Sequence, residues 1–231
     1  MKIDVFADDE STARAAAKFI ATEAAAAVAA RGQFVMAVSG GHSPWIMLRA
    51  LATEKMPWDR VQVVQVDERV APPGDPDRNL THLWESLLDD SPMRPEQIHA
   101  MPVESSDLDA AARQYASTLR NIAGSPPTLD LVHLGLGPDG HTASLVPSDP
   151  VLKVTDADVA VTGIYQGRRR MTLTYPAINR ARRILWLVTG SEKVGMLTRL
   201  RKSDGSIPAG RIFQDHAVIF ADRSATGGLA A

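Results

Sequence analysis

Short apolar runs alternate with longer Ala-rich or amphipathic stretches along nearly the whole chain. The runs Ile3–Phe6, Phe34–Val38, Val61–Val66 and Leu129–Leu134 read as strands, as do Val159–Gly163, Met171–Thr174, Ile184–Thr189 and Ala217–Ala221. Helices are predicted between them: about Asp9 to Arg31, Ser43 to Ala52, Asn79 to Leu88, Leu108 to Ile122 and Glu192 to Leu200. The first of these is rich in alanine, the best helix former, and Gly32 supplies its stop. The Pro/Gly-rich segments Ala71–Asp77 and Ala123–Thr128 read as surface turns.

Repeated β–α alternation predicts a Rossmann-like, three-layer α/β/α fold around a mainly parallel sheet. No repeat, linker or low-complexity tract divides it, so residues 1–231 are expected to form a single domain. In such folds ligands bind beyond the carboxyl ends of the strands, which directs attention to the loops that follow apolar runs. Composition narrows the function classes. A net charge of −2 with 23% charged residues gives no support for nucleic-acid or membrane attraction. With no cysteine, thiolate nucleophiles, disulfides and Cys-ligated zinc are excluded, and a reducing cytoplasm suits the composition. No histidine pair has a strong zinc spacing such as HExxH, so a metal is not indicated.

Three post-strand loops carry candidate chemistry. In AVSGGHSPW, Ser39, Gly40, Gly41 and Ser43 allow close backbone approach, hydroxyl donors and a helix start facing an anion, with Ser43 as N-cap and Pro44 as first helical residue. A plain tight turn before a capped helix reads equally well, and the GK[ST] ending of a nucleotide loop is missing. Next, Asp67-Glu68-Arg69 ends the third strand and offers carboxylates beside a guanidinium, whose planar fork matches phosphate oxygens; a solvated charged loop is the plainer alternative. The third is LDLVHLGLGPDGHTASLVP, where Gly135-x-Gly137-x-x-Gly140 spells a dinucleotide turn. Leu145-Val146-Pro147 leaves little room for the required helix, and His141 reads either as an acid or base presented by that turn, a role imidazoles suit, or equally well as a helix-capping or solvent-facing residue.

Farther along, Arg168-Arg169-Arg170 precede a strand and Lys193 follows one, so basic side chains stand where a phosphate could be clamped. Which of the three arginines turns inward is open. His133, inside an apolar strand, is expected in the core; His42 lies within the glycine loop with no assigned role.

Taken together these loops resemble the 6-phosphogluconolactonase family. The matching pieces are SGGHSP (Ser39–Pro44), VDER (Val66–Arg69), GLGPDGHTASLVP (Gly135–Pro147) and RRMTLTYPAINRARRILWLVTGSEK (Arg169–Lys193), in family order across most of the chain. His42 departs from the Ser or Thr often found there. The resemblance implies a fold shared with glucosamine-6-phosphate deaminases and cofactor-free hydrolysis of 6-phospho-D-glucono-1,5-lactone to 6-phosphogluconate in the oxidative pentose phosphate pathway. On this reading His141 activates water, Asp67 orients the histidine or substrate hydroxyls, and Arg69 holds substrate or a developing oxyanion. Ser39, Gly40, Gly41, Ser43, Arg169 or Arg170, and Lys193 then grip the 6-phosphate. The partner is a small sugar-phosphate lactone; oligomeric state is open, a monomer being compatible. Two rival enzymes share parts of the pattern. A deaminase acting on glucosamine 6-phosphate continues as HIAFNEP-like rather than HTASLVP, and an NAD-type oxidoreductase rests on the three glycines alone. A silent sugar-phosphate sensor has no positive support.

Overall fold

The computed structural model describes residues 1–227. Its strands in chain order are β1 (Lys2–Phe6), β2 (Phe34–Val38), β3 (Val61–Gln65), β4 (Asp67–Arg69), β5 (Ile98–His99), β6 (Leu131–Leu134), β7 (Val159–Val161), β8 (Arg170–Leu173), β9 (Ile184–Val188) and β10 (Ala217–Asp222). The α-helices are α1 (Asp9–Arg31), α2 (His42–Ala52), α3 (Asn79–Leu83), α4 (Leu108–Ala123), α5 (Tyr175–Asn179), α6 (Val194–Arg201) and α7 (Arg223–Thr226). A parallel sheet runs β1-β10-β9-β6-β2-β3-β5, and β4-β8-β7 form a separate antiparallel sheet.

Side-chain alternation builds the layers. Phe34, Met36 and Val38 face one side of the parallel sheet, packing with Ala16, Ile20 and Ala24 of α1 and Met47, Leu48 and Leu51 of α2. Val35 and Ala37 face the other side, with Tyr115 and Leu119 of α4 and Leu197 and Leu200 of α6. The result is the expected three-layer α/β/α arrangement. Helix α1 is bounded by local chemistry. The Asp8 carboxylate accepts from the Ser11 amide at 2.7 Å while Ser11 Oγ accepts from the Asp8 amide at 3.1 Å, a reciprocal cap worth about 1 kcal/mol. At the other end Gly32 takes φ +80°, the left-handed stop that glycine adopts without strain.

Strand β2 leads outward to β3 and β5, whereas β6, β9, β10 and β1 lie on its opposite side. The order reverses between β2 and β6, so the loops leaving these two strands diverge and leave a crevice at the carboxyl edge. Among the described residues no helix is long and apolar enough to cross a membrane.

Several boundaries differ from the sequence reading for identifiable reasons. Asp67–Arg69, read as a loop, pairs antiparallel with β8. Helix α2 begins at His42 with Gly41 as its cap residue, so Ser43 is not the N-cap and Pro44 is the third helical residue, still within the turn that tolerates proline. Helix α3 passes into a π-helical turn over Trp84–Leu88.

Candidate active site

A cleft of about 750 Å³ lies at the carboxyl edge of the parallel sheet. Its walls come from the loops after β1, β2, β6, β9 and β10, joined by Asp67, Arg69 and Arg170 of the antiparallel sheet. Ser39, Gly40, Gly41, Ser43, Asp67, Arg69, His141, Arg170 and Lys193 all line it.

His141 is held from behind. Its Nδ1 lies 2.5 Å from Asp139 Oδ1, and its own amide donates to the same carboxylate at 3.1 Å. With Nδ1–H given to a carboxylate, Nε2 is the ring nitrogen available to the cleft as a base. Glycines make this geometry possible. A Cβ at Gly137 would overlap the imidazole, and Gly140 takes φ +82° with Ile207 packed where a side chain would begin. No long helix follows: the chain makes a bridge between Thr142 and Leu145 with Ala143 at φ +52°. The glycine spacing therefore serves His141, and the helix N-terminus on which a pyrophosphate would rest is missing from this loop.

Asp139 was not singled out in the sequence, where the Pro-Asp-Gly text reads as ordinary turn chemistry; its position two residues before His141 was the usable signal. Of the two roles expected for Asp67, contact with substrate hydroxyls fits its place in the cleft, and no contact with His141 is present among the described residues. Asp67 Oδ2 accepts from the Ser144 hydroxyl at 2.6 Å, and the side chain is buried at the cleft wall. Partial burial pushes the Asp139 carboxyl upward, but the His141 amide, its charge and ring, and the Tyr165 hydroxyl outweigh this and hold it below the usual carboxylate value.

The two strands of the antiparallel sheet set the cationic side of the cleft. Arg69 stands directly across from Arg170, so both guanidiniums occupy one face. Arg69 Nη1 donates to the Asp77 carbonyl at 2.6 Å and Asn79 Oδ1 at 2.8 Å. The Nε of each arginine is buried without a partner among the described residues. Burial lowers the Arg170 pKa and the facing Arg69 adds to this, while Asp67 opposes it. Glu68, between the two cleft residues of β4, points the other way. It is fully buried and accepts from the amides of Arg69, Asn79 and Leu80, each at 2.8 Å, and so ties β4 to the start of α3.

Strand parity also separates the arginine triplet. Arg169, one residue from Arg170, turns away from the cleft and donates to the Thr162 carbonyl at 3.3 Å, beside Val70 and Ile164. Arg168 pairs with Asp75 and Asp77. The expectation for Arg169 is thus corrected in favour of Arg170.

At the other end of the cleft Ser43 Oγ and Thr189 Oγ1 share a hydrogen bond of 2.6 Å, joining the start of α2 to the end of β9. Thr189 escaped the sequence reading because it closes an apolar run. Lys193 is mostly buried here, its Nζ 3.6 Å from Glu192. His42 turns outward at the rim, 3.8 Å from Asp9. Gly40 is required because a Cβ would collide with Asn79.

Ser39 contributes differently from expectation: its hydroxyl donates to the His133 carbonyl at 2.9 Å, and its amide to His133 Nδ1 at 3.3 Å. Ser39 therefore fixes the loop through β6, with its hydroxyl proton engaged in the protein interior. His133 is fully buried in β6, and desolvation pushes its pKa down to about 3. Since the unfolded chain protonates this ring below about pH 6.5, the folded state loses stability progressively from there down toward pH 3, by about 1.4 kcal/mol per pH unit. Urea unfolding of the wild type at pH 7 and pH 5 should show a loss of about 2 kcal/mol that His133→Gln largely removes. An identical pH dependence in the variant would contradict a buried neutral imidazole.

Comparison with known proteins identifies the lineage of this cleft. Residues 7–220 match the family described as glucosamine-6-phosphate isomerases/6-phosphogluconolactonase. The chain belongs to this family. A 6-phosphogluconolactonase of Synechocystis sp. is 37% identical over 196 residues, covering 83% of this chain and 81% of that protein. One from Mycobacterium tuberculosis is 36% identical over 241 aligned positions, covering 98% of each. Among solved structures, the 6-phosphogluconolactonase of Thermotoga maritima superposes with a TM-score of 0.85 at 25% identity, covering 96% of this chain and 98% of that one. A monomeric glucosamine-6-phosphate deaminase reaches the same TM-score at 18% identity over 99% of this chain and all of its own, a likeness of fold. The family's two activities thus share one architecture, and the choice between them lies in the site.

Proposed function

We infer that this chain hydrolyses 6-phospho-D-glucono-1,5-lactone to 6-phosphogluconate, the lactone-opening step of the oxidative pentose phosphate pathway. The observation that carries the assignment to this cleft is His141, braced on Asp139 at 2.5 Å, in a crevice whose walls also hold Arg69, Arg170 and Lys193. The 6-phosphogluconolactonases of Synechocystis sp. and Mycobacterium tuberculosis, matched over 81% and 98% of their lengths, support the same substrate.

A lactone carbonyl is already electrophilic, so the site needs a positioned water and a proton acceptor rather than a covalent nucleophile. His141 Nε2 takes a proton from that water as its oxygen bonds to C1. The tetrahedral oxyanion then collapses, the bond from C1 to the ring oxygen breaks, and the imidazolium returns the proton to the departing oxygen. Asp139 compensates the transient positive charge on the ring. The two guanidiniums face each other beside Asp67, and their Nε groups have no partner among the described residues, so the pair can take a further anion, which suits Arg69 and Arg170 to the developing oxyanion or the substrate's phosphate. Lys193, the Ser43–Thr189 hydroxyl pair and the amides after Gly41 supply the second anion-binding end. Holding the 6-phosphate there fixes C1 over the water, converting remote binding energy into orientation.

The direct test is lactone hydrolysis with freshly generated substrate, corrected for spontaneous opening, beside an assay for ammonia release from glucosamine 6-phosphate. Acid release well above background with no ammonia is expected. Ammonia release without lactone hydrolysis would assign the chain to the family's other activity.

A further inference from the structure

Just behind the cleft wall, the connection from β7 to β8 folds back through Gln166 at φ +50° and Gly167 at φ +80°. Consecutive left-handed residues are the mark of a tight two-residue hairpin, and the Tyr165 amide closes it on the Arg168 carbonyl at 2.9 Å. That turn fixes the Tyr165 ring. Its hydroxyl donates to Asp139 Oδ2 at 3.2 Å, the carboxylate oxygen that His141 Nδ1 does not use. The ring stands edge-on to the His141 imidazole, 5.5 Å between centroids at 66°. On the same ring rests the Arg170 guanidinium, its carbon 5.0 Å from the centroid, and Arg170 Nη2 reaches Gln166 Oε1 at 3.1 Å on the same hairpin.

We propose that Tyr165 is a positioning residue of the hydrolytic site, bracing the Asp139–His141 pair through its hydroxyl and Arg170 through its ring. The inference rests on the reading of the cleft as a lactone hydrolase. A carboxylate bonded through one oxygen alone can swing about its side-chain torsion; a second donor on the other oxygen holds its plane, and with it the imidazole. A guanidinium over an aromatic face is likewise restrained while its donors stay directed at a ligand. One side chain thereby couples the water-activating group to a cation in the cleft, although Tyr165 does not line the cleft itself.

The two contacts separate by mutation. Tyr165→Phe keeps the ring and removes only the hydroxyl, so kcat for the lactone should fall about tenfold, the equivalent of one hydrogen bond to a charged group, with KM unchanged. Tyr165→Ala should show the same fall in kcat and in addition a severalfold rise in KM, because Arg170 loses its platform. A kcat for Tyr165→Phe within about twofold of wild type, or equal changes in kcat and KM for both variants, would overturn the proposal. A second readout needs no turnover: the low-field proton between His141 Nδ1 and Asp139, identified by its loss in His141→Gln, should shift or broaden in Tyr165→Phe. An unchanged resonance would also overturn it. If wild type itself fails to open the lactone, the functional reading falls, and the resonance still decides whether Tyr165 restrains the pair.

Discussion

Replacing His141 by alanine is expected to lower kcat for lactone hydrolysis by about 10²–10⁴-fold, the usual worth of a positioned acid–base group. The side chain is about one-fifth exposed and its loss leaves no buried charge, so the variant should fold normally. KM should change little, because the cations at the cleft walls remain. The measurement is steady-state turnover corrected for spontaneous opening, alongside a melting curve. A turnover number equal to wild type would remove His141 from the role of base, whatever else the cleft binds. A fall accompanied by a collapsed melting transition would instead place the residue among those that hold the turn, contrary to its position at the surface of the cleft.

The second large effect is expected from Asp139→Asn, at about 10²–10⁴-fold in kcat with KM preserved. Asparagine has nearly the same shape but is neutral, and it can turn its amide toward Nδ1, which would leave the proton on Nε2 and abolish the base. The wild-type carboxylate is kept ionised by the His141 amide, charge and ring and by Tyr165, against the upward push of partial burial. Its lowered pKa means that the support it gives is present above the ordinary carboxylate value and vanishes only as pH falls through the depressed one. The Asn variant should consequently be impaired at neutral as well as at mildly acidic pH. Recovery of full activity at any pH in that range would show that the carboxylate is dispensable. A similar kcat at all pH values would return the orienting role to Asp67, whose contact with Ser144 Oγ gives no support for it.

Much of this architecture is legible in the sequence because its signals are local. The period-two alternation of Phe34–Val38 and the Asp8–Gly32 bracketing of α1 follow from residues that meet within a few positions. The cleft residues from three distant loops were also legible, because apolar strands in a parallel sheet end on one edge. What was hidden depends on partners far apart in the chain. Whether Asp67–Arg69 is loop or strand is decided by pairing with β8 a hundred residues on, and that pairing also decides that Arg170, not Arg169, enters the cleft. Ser39 reads as a ligand hydroxyl until His133, ninety-four positions away, is seen to occupy it. Tyr165 carries no motif; its meaning lies in a hairpin that brings it to Asp139 and Arg170.

The proposed chemistry requires one cleft to hold a base at one end and the phosphate at the other. A crystal structure with 6-phosphogluconate bound tests this most directly. The new C1 carboxylate should lie within hydrogen-bond distance of His141 Nε2, with the phosphate seated at the other end of the cleft against Lys193 and the start of α2. Product bound elsewhere, or bound here with its carboxylate pointing away from His141, would contradict it.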